Sequence, residues 1–568
     1  MPVLLFMTAL TMVSCDGLLN VNSDQYTYDE QYRMKSEHDS LYAFVGIMSK
    51  LQLLGDRYVL LGELRGDLME TGSNASRYLK EINEFNITKD NPYAKTSQYY
   101  DIINNCNYVI QYVDTSARVN PSDRYSYNLR VIAMAKAVRA WTYLQLVLNY
   151  GDAKYIVNPI LSEGDVVKNY PTVNLSELCD LLIDDLLPFY QSERIGSYNI
   201  GQFADFNSKY GLINTRFLLG DLYLWKGSVL EGEGSAASAK TYYKNAALMY
   251  YNLMSQENLL ISRNNASSWT FTGEMPTSIQ PNDDNWSSVY TMGLTETITA
   301  LASSADYGKQ FSLDSLSFNR MIAPTKNSIA NWDNQVYFYT KSITTDGDLR
   351  ERGSVSTDFR NSDNVSAHFD EPIITKFLRT SNSKQKVIIL YRNSLLYLRY
   401  AEAVNRLGCS NLAFATLKYG LNREINNNAD IQNEITNKMG SIPSYMNFSS
   451  SGFNRTVTNS SVLLNVGVHA RGCGLNYSQL NTVAVDTVFY RIPYGVVDSA
   501  AVSFVEDKIV DELALETAYE GNRFHDLMRV ALRRGDPAYL ADRVSVKYAN
   551  KETMRTKLMN PTTWYLPK

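Results

Sequence analysis

Apolar residues recur along much of the chain at spacings of three and four, the pattern of helices with one buried face. The clearest case is a predicted helix over residues 130–150, which Gly151 would end. Its apolar face would carry Val131, Met134, Val138, Trp141, Leu144 and Leu148. A second helix is predicted over 176–187, closed by Pro188. The pattern therefore predicts a predominantly helical protein.

Three pairs of helices continue this pattern. They are predicted at 210–226 with 239–254, at 392–407 with 411–423, and at 505–518 with 523–534. Small residues at the contacts would let neighbouring helices pack closely. These residues are Gly220, Ala401, Ala403, Ala413 and Ala415. Units of two antiparallel helices resemble degenerate tetratricopeptide repeats. The predicted fold class is mostly α, with a tetratricopeptide-like helical-repeat scaffold that forms an α-α superhelix.

Two long polar regions interrupt the helices. At 256–389 and 425–504 the helical spacing is lost and small polar residues become frequent, with β-like runs at 461–468 and 483–492. Such long loops are usually functional or disordered, and aromatic rings argue against disorder. The rings of the first region include Trp269, Trp286, Tyr290, Trp332, Tyr337 and Tyr339. We therefore expect an ordered, loop-rich and partly β insertion that faces a ligand.

The first fifteen residues have the features of an export signal. Residues 3–13 form an apolar run, which is shorter than the roughly 20 residues that cross a bilayer and typical of a signal peptide. Ser14 and Cys15 resemble a bacterial lipoprotein cleavage site, in which the Cys becomes the N-terminus and carries acyl chains such as palmitate. We therefore predict a signal peptide at 1–14, lipidation at Cys15 and a tether over 15–35. The alternative is a conventional secretory signal with an incidental cysteine.

Composition narrows the class of partner. The formal net charge is −5 and the pI is about 5.6, which argues against nucleic acid because binders of phosphate backbones concentrate Lys and Arg. The 41 Tyr and 6 Trp outnumber the 20 Phe, so rings suited to a wet binding surface predominate. The four cysteines after Cys15 have spacings that match no zinc site. We expect no metal and no cofactor.

Signatures of catalysis are missing from the sequence. The patterns HExxH, GxSxG, GxxxxGK[ST] and a complete GxGxxG do not occur. Near the C-terminus, charges recur at three- and four-residue spacings that place them on one helical face. They are Glu512, Glu516, Glu520, Arg523, Asp526, Arg529 and Arg533. We expect a structural ion network there, although a glycoside hydrolase needs only two carboxylates roughly 5–9.5 Å apart and stays open as an alternative.

Several segments, in order along nearly the whole chain, resemble the SusD/RagB family of Bacteroidetes outer-membrane nutrient-binding lipoproteins. They are the lipobox-like signal at Cys15, AKAVRAWTYLQLVLNYGDAKYI at 135–156, LIDDLLPFY at 182–190, YGLINTRFLLGDLYLWKG at 210–227, DGDLR at 346–350, LLYLRYAEAVNRLG at 395–408 and DELALETAYEGNRFHDLMR at 511–529.

The resemblance implies a single SusD-like domain at 36–568, with tetratricopeptide-like helices at about 120–255, 390–425 and 505–535 and insertions at about 256–389 and 425–504. It implies a binding protein that is not an enzyme. Such a protein would be held in the outer membrane by its lipid anchor and exposed at the cell surface. It would capture a glycan or peptide and deliver it to a SusC-like, TonB-dependent β-barrel transporter. A surface-anchored glycoside hydrolase and a tetratricopeptide scaffold that binds only proteins are the alternatives.

Glycan capture needs flat rings that stack on sugars, together with amide, carboxylate or guanidinium groups for the hydroxyls. The first insertion offers both, and the resemblance adds the loop 66–80. The candidate ligand-binding residues are Trp286, Trp332, Trp269, Tyr290, Asn74, Arg77 and Tyr78. Trp286 and Trp332 rank first because Asn and Asp lie beside each, although any of these rings could instead pack in the core. Replacing both tryptophans with Ala is expected to weaken ligand binding and leave the melting temperature unchanged.

Overall fold

The coordinates are those of a computed structural model of the chain. It describes residues 34, 37–116, 118, 122, 126, 128–190, 202–203, 206–261, 267–272, 275–281, 296–307, 310–338, 344–360, 366–379, 385–456, 465–473 and 490–568. The predicted signal peptide, the lipidation site Cys15 and the tether, apart from Met34, lie outside the described residues.

Helices form most of the described structure, as the sequence predicts. In chain order they are α1 Glu37–Gln52, α2 Gly55–Glu63, α3 Arg77–Asn83, α4 Ser97–Tyr112, α5 Leu129–Tyr150, α6 Glu163–Val166, α7 Leu175–Tyr190, α8 Thr215–Gly232, α9 Ala236–Glu257, α10 Leu313–Phe318, α11 Lys326–Asp333, α12 Glu351–Ser354, α13 Thr375–Arg379, α14 Asn393–Arg406, α15 Ser410–Lys418, α16 Arg423–Asn427, α17 Ala429–Met439, α18 Asp498–Glu516, α19 Arg523–Arg534, α20 Ala538–Ser545 and α21 Lys551–Leu558.

Short strands pair in antiparallel ladders of two. The strands are β1 Met69–Thr71, β2 Asp152–Lys154, β3 Thr172–Asn174, β4 Gln202–Phe203, β5 Phe206–Asn207, β6 Ser267–Thr272, β7 Met275–Pro281, β8 Thr297–Ser304, β9 Ile322–Pro324, β10 Val336–Phe338, β11 Thr344–Asp346, β12 Ser356–Arg360, β13 Ser366–Ile373 and β14 Gln385–Arg392. The pairs are β1 with β9, β2 with β3, β4 with β5, β6 with β7, β8 with β14, β10 with β11 and β12 with β13.

The predicted helical hairpins are present, and glycine sets their spacing. In the α8–α9 hairpin, a Cβ added at Gly220 would lie 2.3 Å from Cε1 of Tyr250, so only glycine permits this approach. Asn214 caps α8 by accepting a hydrogen bond of 3.0 Å from the Phe217 N–H. The mostly α, tetratricopeptide-like scaffold is therefore confirmed. Helix α7 continues past Pro188 to Tyr190 rather than closing there, because a proline in the last turn removes only one helical hydrogen bond.

Helix α5 forms the centre of the scaffold. Among the described residues it is the one helix long and apolar enough to cross a bilayer, yet 94% of its apolar window is buried inside the protein. It packs between α4 and α7 in the main hydrophobic core. Cys106 and Cys179, on those two neighbours, are buried and free, and so is Cys409. These cysteines are thus small core residues.

The first insertion is more ordered than the sequence indicates. The region predicted as loop holds β6 to β14 and α10 to α13. Strand β8 is buried at every position and pairs with β14, with Leu301 opposite Ile388. A strand buried on both faces lacks the polar–apolar alternation that reveals a strand in sequence, and Ser and Thr obscured it further.

The second insertion also differs from expectation. Helix α17 forms where a loop was predicted, with Asn428 as its cap and Gly440 in the left-handed conformation at its end. Of the predicted β-like runs at 461–468 and 483–492, the described residues 465–468 and 490–492 are not in strands. Val468 is instead covered by α15, where its N–H donates to the Thr416 carbonyl.

The charged residues of α18 form the predicted structural network. Glu516 accepts hydrogen bonds of 2.7, 2.7 and 2.6 Å from Arg350, Arg392 and Arg471. All four side chains are fully buried. The three arginines belong to the insertions or their edges, so this network joins the insertions to the helical scaffold.

Candidate functional site

The ring of Trp332 packs in the core, and the prediction that it faces a ligand is wrong. Its side chain is fully buried, and its Nε1–H donates a hydrogen bond of 3.1 Å to the Leu515 carbonyl of α18. Ser328, one turn earlier, is buried on the same face of α11 and contacts the Tyr519 hydroxyl at 2.8 Å. This face of α11 therefore fastens the insertion to α18.

The opposite side of α11 presents a row of carboxamides. Asn327, Asn331 and Asn334 follow one another at spacings of four and three, which places them on one helical face. No hydrogen bond of these three carboxamides to another described residue is present. Each offers an acceptor oxygen and two N–H donors. The row can therefore form several hydrogen bonds with a polar ligand.

This row lines a cavity of about 410 Å³ between the insertion and the C-terminal helices. The carboxamides, Ala330 and Gln335 line it together with buried Ala514 and Leu515 of α18. Asp542, Arg543 and Val546, in and just after α20, line it as well. The volume falls within the roughly 300–1,000 Å³ of small-molecule sites.

Asp67, in the loop after α2, also lines the cavity, and this loop is bonded to the start of α11. Thr325, which caps α11, donates through its hydroxyl to the Asp67 carbonyl at 2.7 Å and through its N–H to the Leu68 carbonyl at 2.9 Å. Asp67 also accepts two hydrogen bonds of 2.6 and 2.8 Å from Arg523. Although burial opposes it, Asp67 raises the pKa of Arg523, so this cation stays charged.

Two stacked rings, His469 and Tyr490, also line the cavity. The His469 ring stacks on Tyr490 with centroids 4.1 Å apart and lies 4.8 Å from the Tyr337 ring. His469 Nδ1 lies 2.7 Å from a Glu512 oxygen, and Arg350 donates to the other oxygen at 2.6 Å. Burial would raise the pKa of Glu512, but Arg350 and His469 hold it below its usual value.

The charged groups around the cavity are paired with one another. Besides Asp67 with Arg523 and Glu512 with Arg350, Lys508 lies 3.8 Å from Asp511, and Asp542 pairs with Arg555 at 2.5 Å. These pairs compensate one another's charge, which favours a neutral ligand over an ionic one.

The loop 66–80 contributes an exposed surface beside the cavity. The Arg77 guanidinium lies 4.7 Å above the Tyr78 ring and pairs with Asp90. Asn74 donates from Nδ2 to the Asn319 carbonyl at 3.0 Å, which joins this loop to the insertion. Arg77 and Tyr78 thus contact each other, Asn74 is exposed in the same loop, and none of the three lines the cavity.

The remaining predicted rings can be placed only in part. Trp269 lies in β6 opposite Ile279 of β7. Trp286 and Tyr290 lie outside the described residues. Within the described part of the chain no group of three or more His, Cys, Asp or Glu could hold a metal ion.

Most of the cavity cannot be predicted from the sequence. Asn327, Asn334, Lys508 and Arg543 line it, and the only sequence signal for them is the Asn spacing in KNSIANWDN. That spacing gains meaning only once the segment is a helix and not the predicted loop. The contribution of α20 depends on the tertiary fold.

Comparison with known proteins supports the fold. No protein-family model matches the sequence, and no curated protein matches it. Among solved structures, NanU of B. fragilis is 15% identical with a TM-score of 0.54, and the match covers 95% of this chain and 98% of that one.

Two further structures match similarly. A SusD homologue from Bacteroides thetaiotaomicron is 13% identical with a TM-score of 0.55, covering 92% of this chain and 90% of its own. A SusD-like carbohydrate-binding protein from Bacteroides fragilis is 13% identical with a TM-score of 0.53, covering 88% and 87%. The SusD-like fold predicted from the sequence is therefore confirmed.

Proposed function

We propose that this chain, which has the SusD-like fold, is a cell-surface lipoprotein that captures a glycan and delivers it to a TonB-dependent transporter in the outer membrane. The observation that carries the proposal is the row of unbonded carboxamides facing a cavity between α11 and α18.

The chemistry of the cavity suits a neutral sugar. Sugar hydroxyls both donate and accept hydrogen bonds, and so do the carboxamides of Asn327, Asn331 and Asn334. Asp67 with Arg523 and Glu512 with Arg350 are already paired, which favours a neutral ligand over an ionic one. A largely formed pocket with a few convergent polar groups is the usual form of a small-ligand site.

The surface of the loop 66–80 extends this site. A half-buried Tyr78 ring held against Arg77 offers part of a flat face and hydrogen-bond donors. We propose that sugar units beyond the cavity contact this surface and the rings of Trp286 and Tyr290. Trp269 stays a candidate on the β6–β7 hairpin.

Anchoring and delivery rest on the sequence resemblance. Lipidation at Cys15 would hold the protein at the outer membrane, because several acyl chains at about 0.8 kcal/mol per buried methylene give durable binding. A SusC-like β-barrel transporter is the proposed partner. The captured glycan would pass to it unchanged, so no catalysis is included in this proposal.

Calorimetry with the purified protein tests the proposal. We expect saturable binding of at least one neutral polysaccharide from a panel of α-glucan, β-glucan, galactan, mannan and xylan, with no release of reducing ends. Release of reducing ends would favour the glycoside hydrolase. Binding of peptides alone would refute glycan capture, and binding only to folded proteins would favour the scaffold alternative.

A further inference from the structure

The loop between β2 and β3 carries a concentration of exposed aliphatic side chains, here called the aliphatic patch. They are Val157, Leu161, Val166 and Val167, whose exposed fractions are 42%, 50%, 65% and 83%. In the rest of the described chain, no stretch of eleven residues exposes more than two large apolar side chains. Because clustered exposed apolar surface usually marks an interaction site, the aliphatic patch is a candidate contact surface.

The loop that carries the patch is held in place by hydrogen bonds. Its two ends pair in the β2–β3 ladder, where Asp152 lies opposite Asn174. Ser162 and Asp165 form a capping box at α6. The Asp165 carboxylate also accepts a hydrogen bond of 3.1 Å from the Leu161 N–H. The exposure of these aliphatic side chains is therefore a fixed property of the fold.

The patch lies near the point where the predicted N-terminal tether joins the body. The Asn107 amide of α4 donates hydrogen bonds of 2.9 and 3.2 Å to the carbonyls on either side of Val157. Six residues after Asn107, at the end of α4, Val113 forms a β-bridge with Met34, the one described residue of the tether. Six residues along a helix correspond to about 9 Å. The tether and the patch thus meet the body at the same helix.

From this placement we propose that the aliphatic patch rests on the lipid surface of the membrane and holds this face of the body against it. The inference rests on the proposed lipid anchor at Cys15. The 19 residues from Cys15 to Met34 could span at most about 65 Å, so the anchor alone leaves the orientation of the body open. Burial of the patch at the acyl boundary would select one orientation, because removing apolar surface from water is favourable.

The chemistry of the patch suits lipid better than a protein partner. The residues that dominate binding between proteins are enriched in Trp, Tyr and Arg, whereas Val and Leu are under-represented among them. The charges on and beside the loop balance, since Lys154, Lys168 and Glu163 are exposed and Asp165 pairs with Lys168 at 2.6 Å. A contact of this kind should form on zwitterionic lipid and depend little on salt.

Quenching of fluorescence by brominated lipid tests the contact. The full-length lipidated protein is inserted into phosphatidylcholine vesicles whose acyl chains carry bromine, and Val167→Trp adds an indole to the patch. We expect most of the added emission to be quenched, and the remainder to shift to shorter wavelength. Val497→Trp, at the N-cap of α18 where the valine is 64% exposed, is the matched control and should show neither change.

A second variant tests whether the patch itself makes the contact. Leu161→Asp with Val166→Asp, added to Val167→Trp, places charges that hydrocarbon excludes. The quenching should be abolished, while the lipid anchor keeps the protein on the vesicles. Raising the salt concentration should leave the quenching of Val167→Trp unchanged. Thermal melting identifies any variant that fails to fold, and Val167→Trp beside its control then decides alone.

The outcomes separate the membrane contact from the proposed function. If mass spectrometry finds no acyl chain on Cys15, the anchor and the contact are both refuted, while calorimetry tests glycan capture independently. If the protein is lipidated and Val167→Trp is quenched no more than Val497→Trp, the contact is refuted and the anchor stands. Protection of Val167→Trp from acrylamide in native outer-membrane vesicles, without quenching by brominated lipid, would assign the patch to a protein partner and also refute the contact.

Discussion

The indole N–H of Trp332 donates a hydrogen bond of 3.1 Å to the Leu515 carbonyl, across the contact between α11 and α18. This bond fixes which face of α11 points inward. Ser328 and Trp332 are buried, while Asn327, Asn331 and Asn334 line the cavity on the other side. A ring that the sequence predicted at the ligand surface thus supports that surface from beneath.

Replacing Trp332 should destabilise the protein, in contrast to the unchanged melting expected from the sequence. Trp332→Ala removes a fully buried indole and should lower the free energy of unfolding by about 3–5 kcal/mol. Denaturant unfolding measures this. Tyr494→Ala is the control, because that ring is 86% exposed and surface changes usually stay within about 0.5 kcal/mol. Equal effects of the two changes would contradict the burial of Trp332.

The network around Glu516 should be sensitive to loss of one charge. Burial would raise the pKa of Glu516, but Arg471, Arg392 and Arg350 hold it well below its usual value. Glu516→Gln removes the one carboxylate that the three buried arginines share and should cost about 3–5 kcal/mol. Because the depressed pKa stabilises the fold above pH 4.5, the variant should also lose less stability than the wild type on acidification.

The control for this change is Glu552→Gln, at an exposed position in α21. It should alter the free energy of unfolding by less than about 0.5 kcal/mol. Urea titrations at several pH values below 5 measure both variants. An effect of Glu516→Gln as small as that of the control would mean that the network contributes little to stability.

Glu63 should make the free energy of unfolding depend on pH in the opposite direction to Glu516. Burial raises its pKa from 4.5 to about 7, against the hydrogen bonds from the Gly521 and Arg523 N–H groups. The folded protein then binds this proton more tightly than the unfolded chain does. Its contribution to stability is full below pH 4.5 and is lost as the pH rises through about 7.

Glu63→Gln should remove this loss of stability at higher pH. A neutral amide can still accept the hydrogen bonds through its oxygen. The free energy of unfolding of the variant should therefore change less between pH 4.5 and 7 than that of the wild type. Thermal melting across that range tests it. Identical slopes for the two proteins would show that Glu63 titrates normally in the fold.

Changes to the surface of the loop 66–80 should weaken the binding of long glycans more than the binding of short ones. Arg77→Ala with Tyr78→Ala should weaken polysaccharide binding about tenfold, a free-energy change of about 1.4 kcal/mol. The binding of a single sugar should not change, because neither residue lines the cavity. Stability should hardly change either, since exposed ion pairs contribute about 0–1 kcal/mol. Unaltered polysaccharide affinity would exclude this surface from the site.

The sequence predicted the scaffold well because helix spacing and caps are local. The helix predicted at 130–150 agrees with α5 to within one residue, and the last predicted helix, at 523–534, agrees with α19. The insertions were predicted less well. Strand β8 owes its burial to its partner β14, which lies more than eighty residues later. Such pairing is a property of the tertiary structure.

The candidate site was predicted only in outline. Polar neighbours made Trp332 look exposed, yet a helix turns about 100° per residue, so Asn331 and Trp332 point in different directions. Arg77 and Tyr78 do contact each other. The contribution of α20 to the cavity is not visible in the sequence, because it depends on how the C-terminal helices pack on one another.

The most direct test of the account is a calorimetric titration of neutral polysaccharides into the wild-type protein and Ala330→Phe. The account predicts saturable binding to the wild type and an affinity at least about tenfold lower for the variant, with both proteins melting at similar temperatures. Equal affinity of the two proteins, or no polysaccharide binding to the wild type, would contradict a glycan site between α11 and α18.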